Sequence, residues 1–144
     1  MKRLFRYVCG FLTVAMVLSM TAHAAENIGS RASSYFVSTS VYLYKVSNAT
    51  FEVWFEAAGV GIMDEIGAST IRIQRSSDQE NWTTVKTYTK DSYSHLIDTN
   101  TGMHADCVTY TGTQGYYYRA YITLYAKNSN GTGLLYRYTS VIKL

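Results

Sequence analysis

The sequence predicts an all-β fold, a two-sheet antiparallel sandwich, on three observations. After residue 25, short runs rich in Val, Ile, Thr, Tyr and Phe are separated by clusters of Gly, Asn, Asp and Ser, which are strand and turn signals. No long window has apolar residues at helical spacing with caps at both ends. The strand signals recur at the short intervals that are typical of sandwiches, with about six or seven strands in all.

The first 24 residues have the three parts of a secretory signal peptide. Lys2, Arg3 and Arg6 precede an apolar stretch at residues 8–20, and small residues follow at Ala22 and Ala24. The apolar stretch is shorter than the roughly 18 to 20 residues that span a bilayer. We therefore expect cleavage after Ala24, secretion to the extracellular side, and no membrane span in the mature chain.

The charge of the chain is concentrated in this leader. The whole chain has 13 Lys plus Arg against 10 Asp plus Glu, and the leader holds three of the basic residues. The remaining body is formally neutral, with no cluster of Lys and Arg of the kind that nucleic acids and anionic membranes attract. We expect no nucleic-acid partner.

Only one of the two cysteines, Cys107, remains after cleavage, so the mature chain cannot form an intrachain disulfide. Three interpretations stay open for Cys107: a buried small apolar residue, an intermolecular cross-link, or a nucleophile. Burial is favoured, because free cysteine is among the most buried residue types.

The clearest strand pattern lies at residues 49–57, where Phe51, Val53 and Phe55 alternate with the polar-face residues Glu52 and Trp54. One face of this strand is therefore expected to be apolar and the other to be wet. Residues 69–75 repeat the alternation. The other predicted strands are residues 41–46, 82–88, 116–127 and 134–142, with turns at residues 76–81 and 128–133.

Two segments lack a clear strand pattern. Residues 59–67 carry glycine at both ends and predict a turn. Residues 91–113 show little alternation, and we expect one short strand at 94–97 followed by a crossing loop. The predicted organisation is a signal peptide at 1–24, an N-terminal segment at 25–40 whose flexibility stays open, and a sandwich domain at 41–144.

Two stretches resemble parts of fibronectin type III-like domains. Residues 71–78 (IRIQRSSD) with 81–85 (NWTTV) resemble their third strand, turn and fourth strand. Residues 115–120 (GYYYRA), continuing to Gly131, resemble their penultimate strand and last hairpin, where a tyrosine ties back across the corner. The resemblance implies a fibronectin type III-like, or immunoglobulin-like, sandwich with Tyr116 in that tie-back role. It implies no function, because sandwich modules host many unrelated activities.

Taken whole, the chain resembles an uncharacterised family of small secreted proteins from Gram-positive, gut-type bacteria. This resemblance implies a bacterial protein located outside the cell envelope. It supplies no activity.

The residues best suited to metal binding or nucleophilic chemistry lie close together in sequence: His95, Asp98, His104, Asp106 and Cys107. Their spacing does not match a zinc site, which needs paired Cys or His on two arms. Esterase, zincin, phosphate-loop and dinucleotide motifs are absent from the sequence. We therefore interpret the cluster as polar side chains on a surface loop and expect no catalysis, no metal and no cofactor. A metal or thiol enzyme is the less favoured alternative.

Tyrosine is the remaining distinctive feature, since the chain contains 14. In the strand at residues 116–127, one face carries the candidate binding residues Tyr117, Arg119, Tyr121 and Tyr125. The return strand adds Tyr136 and Tyr138 to this face if the hairpin forms as expected. Two interpretations stay open: a ladder of rings that stabilises a solvated sheet, and a face that binds a partner.

The sequence thus predicts a non-catalytic secreted binding module that contacts a glycan, a wall polymer or a protein through this tyrosine-rich face. The alternative is a structural or coat protein that assembles with its own copies. Such a homo-oligomer would form through Cys107 or through pairing of sheet edges.

Overall fold

The computed structural model describes residues 34–144, and the predicted signal peptide lies outside the described residues. Strands make up 73% of the described residues, and no α-helix occurs among them. A short 3₁₀ turn, η1, spans Ser94–Leu96. The strands are β1 Phe36–Lys45, β2 Thr50–Ser76, β3 Thr83–Thr89, β4 Ile97–Thr111, β5 Tyr117–Asn128, β6 Gly131–Tyr138 and β7 Ile142–Lys143.

All seven strands belong to one antiparallel sheet that curls into a half-barrel. Residues 50–58 of β2 pair with β1 on one side and β4 on the other, and we call these strands the β4 half. Residues 70–76 of β2 pair with β3 and β5, which form the β5 half together with β6 and β7. The sequence predicted two separate sheets, whereas here one strand runs through both halves and joins them.

The prediction of a turn at residues 59–67 is wrong, because β2 continues through this segment for 27 residues in all. The register shifts between Ala58 and Met63 and again between Ala68 and Thr70. Gly67, with φ of 151°, lies at the point where β2 pairs with both β4 and β5. Glycine there lets the strand bulge and bend without leaving the sheet.

The prediction of a crossing loop within residues 91–113 is also wrong. β4 occupies most of this segment, and the short strand expected at residues 94–97 is mostly the η1 turn. The reason is visible in the register, where His104 lies opposite the buried Ala57 and Asp106 lies opposite the buried Phe55. Polar side chains at inward positions hide the alternation that identifies a half-buried strand.

The other strand predictions are confirmed except in the last hairpin, where β6 begins at Gly131 inside the predicted turn and ends at Tyr138, short of the predicted residue 142. β1, β3 and β5 cover residues 41–45, 83–88 and 117–127 of the predicted strands, and β6 returns antiparallel to β5 after a tight turn. β1 begins at Phe36, within the 25–40 segment. The hairpin signal was reliable because its two strands are neighbours in sequence as well as in space.

The two halves share one hydrophobic core on the inner face of the sheet. The ring of Phe51, on β2, lies 5.3 Å from that of Tyr118, on β5, and 5.6 Å from that of Tyr110, on β4. Ile71 and Ile122 are fully buried beside them. Since both halves bury their apolar faces against each other, neither is expected to fold alone.

The tie-back that the sequence assigned to Tyr116 is made by Tyr118. The Tyr118 hydroxyl accepts a hydrogen bond from the Thr113 N–H at 2.8 Å and donates one to the Thr113 carbonyl at 3.3 Å. Tyr118 is fully buried, whereas Tyr116 is half-buried with the Arg75 guanidinium 4.5 Å from its ring centre. A buried hydroxyl needs such partners to offset its desolvation.

Candidate functional site

Tyr117, Arg119, Tyr121 and Tyr125 all lie half-buried on the outer face of β5. The alternate residues of this strand point into the core, so the predicted sidedness is confirmed. The register Tyr121↔Tyr138 and Thr123↔Tyr136 puts both tyrosines of β6 on the same outer face. Directly paired residues of an antiparallel ladder point to the same side, which is why the hairpin extends this surface.

Arg119 is held between two aromatic rings. Its guanidinium carbon lies 4.2 Å from the ring centre of Trp82 and 4.5 Å from that of Tyr138. Its Nε also donates a 2.8 Å hydrogen bond to the Gln74 side-chain oxygen. These contacts hold the guanidinium between the two rings, an arrangement that suits a planar cation.

Tyr121 continues this arrangement toward the edge of the sheet. Its ring centre lies 4.6 Å from that of Tyr138 and 6.1 Å from that of Tyr136, to which it is parallel within 8°. The Arg72 guanidinium lies 6.0 Å from the Tyr121 ring centre. We call the connected residues the aromatic row: Trp82, Arg119, Tyr138, Tyr121 and Tyr136.

The solvent-facing part of the row lies at the β6 edge, where Tyr136 is 43% and Tyr138 is 53% exposed. The β5 members are half-covered by their neighbours. The row is therefore a continuous surface of rings around a guanidinium, and its edge rings are open to a partner.

Tyr117 and Tyr125 lie on the same face, each with a lysine over its ring. The Lys143 ammonium is 5.0 Å from the Tyr117 ring centre, and the Lys90 ammonium is 4.1 Å from that of Tyr125. Lys90 also forms a 3.0 Å ion pair with Glu65. The hydrogen bond from Lys90 lowers the pKa of the Glu65 carboxyl, and a second one from Lys127 adds to this.

The sequence reasoning missed Trp82 and Arg72 as members of this surface. Alternation does place Arg72 on the outer face of β2, and that signal was available. What the sequence did not reveal is that β2 pairs with β5, which sets Gln74 opposite Arg119 from 45 residues away. Hairpin rules do not predict such long-range pairing.

The histidine and aspartate cluster is brought together, but Cys107 is separated from it. His95 Nδ1 lies 2.7 Å from an Asp106 carboxylate oxygen, and His104 Nε2 donates to the His95 carbonyl at 2.8 Å. Asp106 and His104 face inward, opposite Phe55 and Ala57, whereas Cys107 pairs with Trp54 on the outer face. The Cys107 thiol and the His104 imidazole thus lie on opposite faces of β4. Within residues 34–144 no three His, Cys, Asp or Glu side chains are grouped to hold a metal.

The environment of Cys107 lowers its reactivity. Burial raises the pKa of the half-buried thiol, and the Glu52 and Asp106 carboxylates raise it further. An activated cysteine needs the opposite, an electropositive site that favours the thiolate.

Comparison with known proteins does not assign this chain to a family. No family model and no curated protein matches this chain. A solved structure with detectable similarity is Spo0M, a sporulation control protein from Bacillus subtilis, at 10% sequence identity and a TM-score of 0.41. The match covers 70% of this chain and 47% of that one, so this chain spans less than half of Spo0M's length.

In the described part of the chain, no helix has the length and apolarity needed to cross a bilayer.

Proposed function

We propose that this protein is a secreted, non-catalytic binding module that contacts a glycan, a wall polymer or a protein through the aromatic row. The observation that carries the proposal is the continuity of the row, since its rings and guanidinium contact one another without interruption. Scattered exposed aromatic residues need no explanation, but a connected patch does.

The chemistry of the row suits a ligand with flat apolar faces and polar edges. Tyr136 and Tyr138 offer rigid amphipathic rings that lose little side-chain entropy on binding. Arg119 is already ordered by Trp82 and Gln74, so a ligand would meet a preformed donor. Such preorganisation reduces the entropy lost on association.

Secretion and fold relationship belong to the same proposal. The pattern of basic, apolar and small residues up to Ala24 supports export and cleavage. The β2–β3 turn unit and the β5–β6 hairpin occur at the positions that carry the fibronectin type III-like resemblance, which supports a distant relation to those domains. The neutral mature body supports partners other than nucleic acids.

The direct test is binding of the mature protein to purified bacterial wall sacculi and to soluble wall oligosaccharides, measured by co-sedimentation and calorimetry. The double variant Tyr121→Ser/Tyr138→Ser removes the centre of the row. We expect it to weaken binding at least tenfold, which corresponds to about 1.4 kcal/mol.

The control is Val37→Ser/Met103→Ser, which removes two exposed apolar side chains from β1 and β4 on the other half of the sheet. It should retain binding. Absence of binding to every probe would contradict the proposal. So would loss of binding in the control pair with retention in the test pair, because that result assigns the contact to the β4 half.

Self-assembly through a sheet edge is the second candidate function. Among the described strands, the 15-residue β4 pairs only with β2, so one long edge carries backbone groups without a strand partner. Sedimentation velocity under reducing conditions tests it: concentration-dependent oligomers support edge pairing, and a monomer at high concentration excludes it.

A further inference from the structure

A second aromatic surface lies on the outer face of the β4 half. Tyr42 and Tyr44 of β1 pair directly with Trp54 and Glu52 of β2. Tyr42 is 47% and Tyr44 is 59% exposed, and the four side chains line a shallow depression of about 200 Å³. We call these four residues the β1–β2 cage.

The cage is ordered by its own contacts. The Tyr42 and Trp54 rings are parallel within 3°, with centroids 6.2 Å apart. The Trp54 Nε1 donates a 2.8 Å hydrogen bond to a Glu52 carboxylate oxygen. This bond fixes the indole and at the same time holds a negative charge beside the rings.

Aromatic faces and a carboxylate together attract a cation, because both present negative potential. Seven cation–π contacts occur within residues 34–144, and none of them involves Tyr42, Tyr44 or Trp54. Lys45, the next residue along β1, directs its ammonium to the Lys143 carbonyl at 3.2 Å. The cage therefore has the rings and the carboxylate of a cation-binding site, but no lysine or arginine of the described residues lies over its rings.

The electrostatic surroundings agree with this assignment. Glu56 lies half-buried on the same outer face of β2, one alternate position beyond Trp54. Both glutamates and the cage rings face outward together, since alternate residues of a strand share a side. The two carboxylates would repel an anionic ligand at this position and attract a cation.

The size and chemistry of the depression narrow the class of cation. Clefts for drug-sized ligands enclose roughly 300 to 1,000 Å³, so this depression fits one headgroup and little more. A compact ammonium is strongly hydrated and costly to desolvate, whereas methyl groups on the nitrogen reduce that cost and contact ring faces. We propose that the β1–β2 cage binds the trimethylammonium group of a small molecule such as choline.

This inference is independent of the proposed function, because the cage and the aromatic row share no residue. The test is titration of Trp54 fluorescence in the Trp82→Phe background, which removes the other tryptophan. The probes are tetramethylammonium chloride, choline, phosphocholine and the neutral choline analogue 3,3-dimethylbutanol, at constant ionic strength.

We expect saturable fluorescence changes with tetramethylammonium and choline, and at least tenfold weaker binding of the neutral analogue. Phosphocholine should bind more weakly than choline, since Glu52 and Glu56 repel its phosphate. No saturation with either cation would overturn the proposal, and so would equal binding of the neutral analogue.

The charge is tested by Glu52→Gln, which retains a side-chain oxygen to accept the Trp54 hydrogen bond. It should weaken tetramethylammonium binding about tenfold with an unchanged thermal melting curve. Glu80→Gln removes the same charge from an exposed position in the β2–β3 turn and should leave binding unchanged. Equal weakening by both variants would show a nonspecific charge effect and refute the site.

Discussion

The outer faces of the two halves of the sheet carry the same kinds of ring with opposite charges beside them. On the β5 half, arginines lie against the rings of Trp82, Tyr138 and Tyr121. On the β4 half, the rings of Tyr42 and Trp54 lie beside carboxylates. The two aromatic surfaces are therefore not equivalent.

This difference shows that the charges beside the rings decide the chemistry of each face, even where both faces are rich in tyrosine. Where the protein supplies its own cations, the guanidinium is already part of the surface, which is a preformed mixture of rings and donors. Where it supplies carboxylates, the ring faces are left for an external cation. Residues 25–144 are formally neutral, with 10 basic and 10 acidic residues, yet they contain two local surfaces of opposite character, because net charge averages over both.

The largest effect is expected from Gly67→Ala, which breaks the junction that joins the two halves. A Cβ at Gly67 would clash with the Leu96 carbonyl oxygen, and φ of 151° disfavours any side chain. We expect a loss of about 3 kcal/mol in the free energy of unfolding from overpacking and backbone strain together. Urea denaturation followed by fluorescence measures it.

The control is Gly61→Ala, where φ is also positive but nothing lies within 4 Å of the added Cβ. It should cost only about 1 kcal/mol in the free energy of unfolding. Single-tryptophan variants retaining Trp54 or Trp82 report on the two halves separately. Because one core joins them, both probes should show the same midpoint in Gly67→Ala; separate midpoints would show that the halves unfold independently.

A smaller loss of stability is expected from Arg119→Gln. This change removes the central cation of the aromatic row, which is the charge that distinguishes this face from the face of the β4 half. The variant loses two cation–π contacts and the Arg119 Nε hydrogen bond to Gln74. We expect a loss of about 1 to 2 kcal/mol in stability. Arg137→Gln, at an exposed position on β6, should change stability by less than about 0.5 kcal/mol. Equal losses in the two variants would mean that the row does not hold Arg119 in place.

The smallest effect is a pH dependence confined to the β5 half. Hydrogen bonds to the Asp78 carboxylate lower its pKa far below the usual range, first from the Asn81 N–H, then from the Asn81 amide, the Ser76 hydroxyl and the Glu80 N–H. The corresponding turn in the β4 half uses a neutral group, since the Thr50 N–H donates to the Ser47 hydroxyl. Acid should therefore weaken one turn and not the other.

A carboxyl whose pKa is lower in the folded than in the unfolded chain stabilises the fold above the unfolded value of about 3.9. That contribution is lost as the pH falls toward the folded pKa. Asp78→Asn should therefore have a lower urea midpoint than the wild type at pH 7, and the difference between the two midpoints should shrink steadily as the pH falls below about 3.9. Asp64→Asn, at an exposed position of β2, is the control and should keep the wild-type profile. A constant difference across this range would contradict the prediction.

Much of the local structure was predictable from the residues themselves. The alternation around Phe51 and Val53, the β2–β3 turn and the β5–β6 hairpin depend on contacts between residues near in sequence. The same reasoning placed Tyr117, Arg119, Tyr121 and Tyr125 on one face. Residue alternation did not predict β4, because His104 and Asp106 occupy inward positions where a half-buried strand normally has apolar residues.

The sequence by itself determined the β class, most strand positions and which side chains share a face, because these follow from backbone geometry with a period of two residues. Only the tertiary structure decided that β2 is continuous, that Tyr118 makes the tie-back, and which partners surround Arg119 and Trp54. These features depend on pairings between distant segments, and their energies come from packing and charge that no local pattern encodes. Two tyrosine-rich faces that look alike in sequence therefore differ in chemistry once folded.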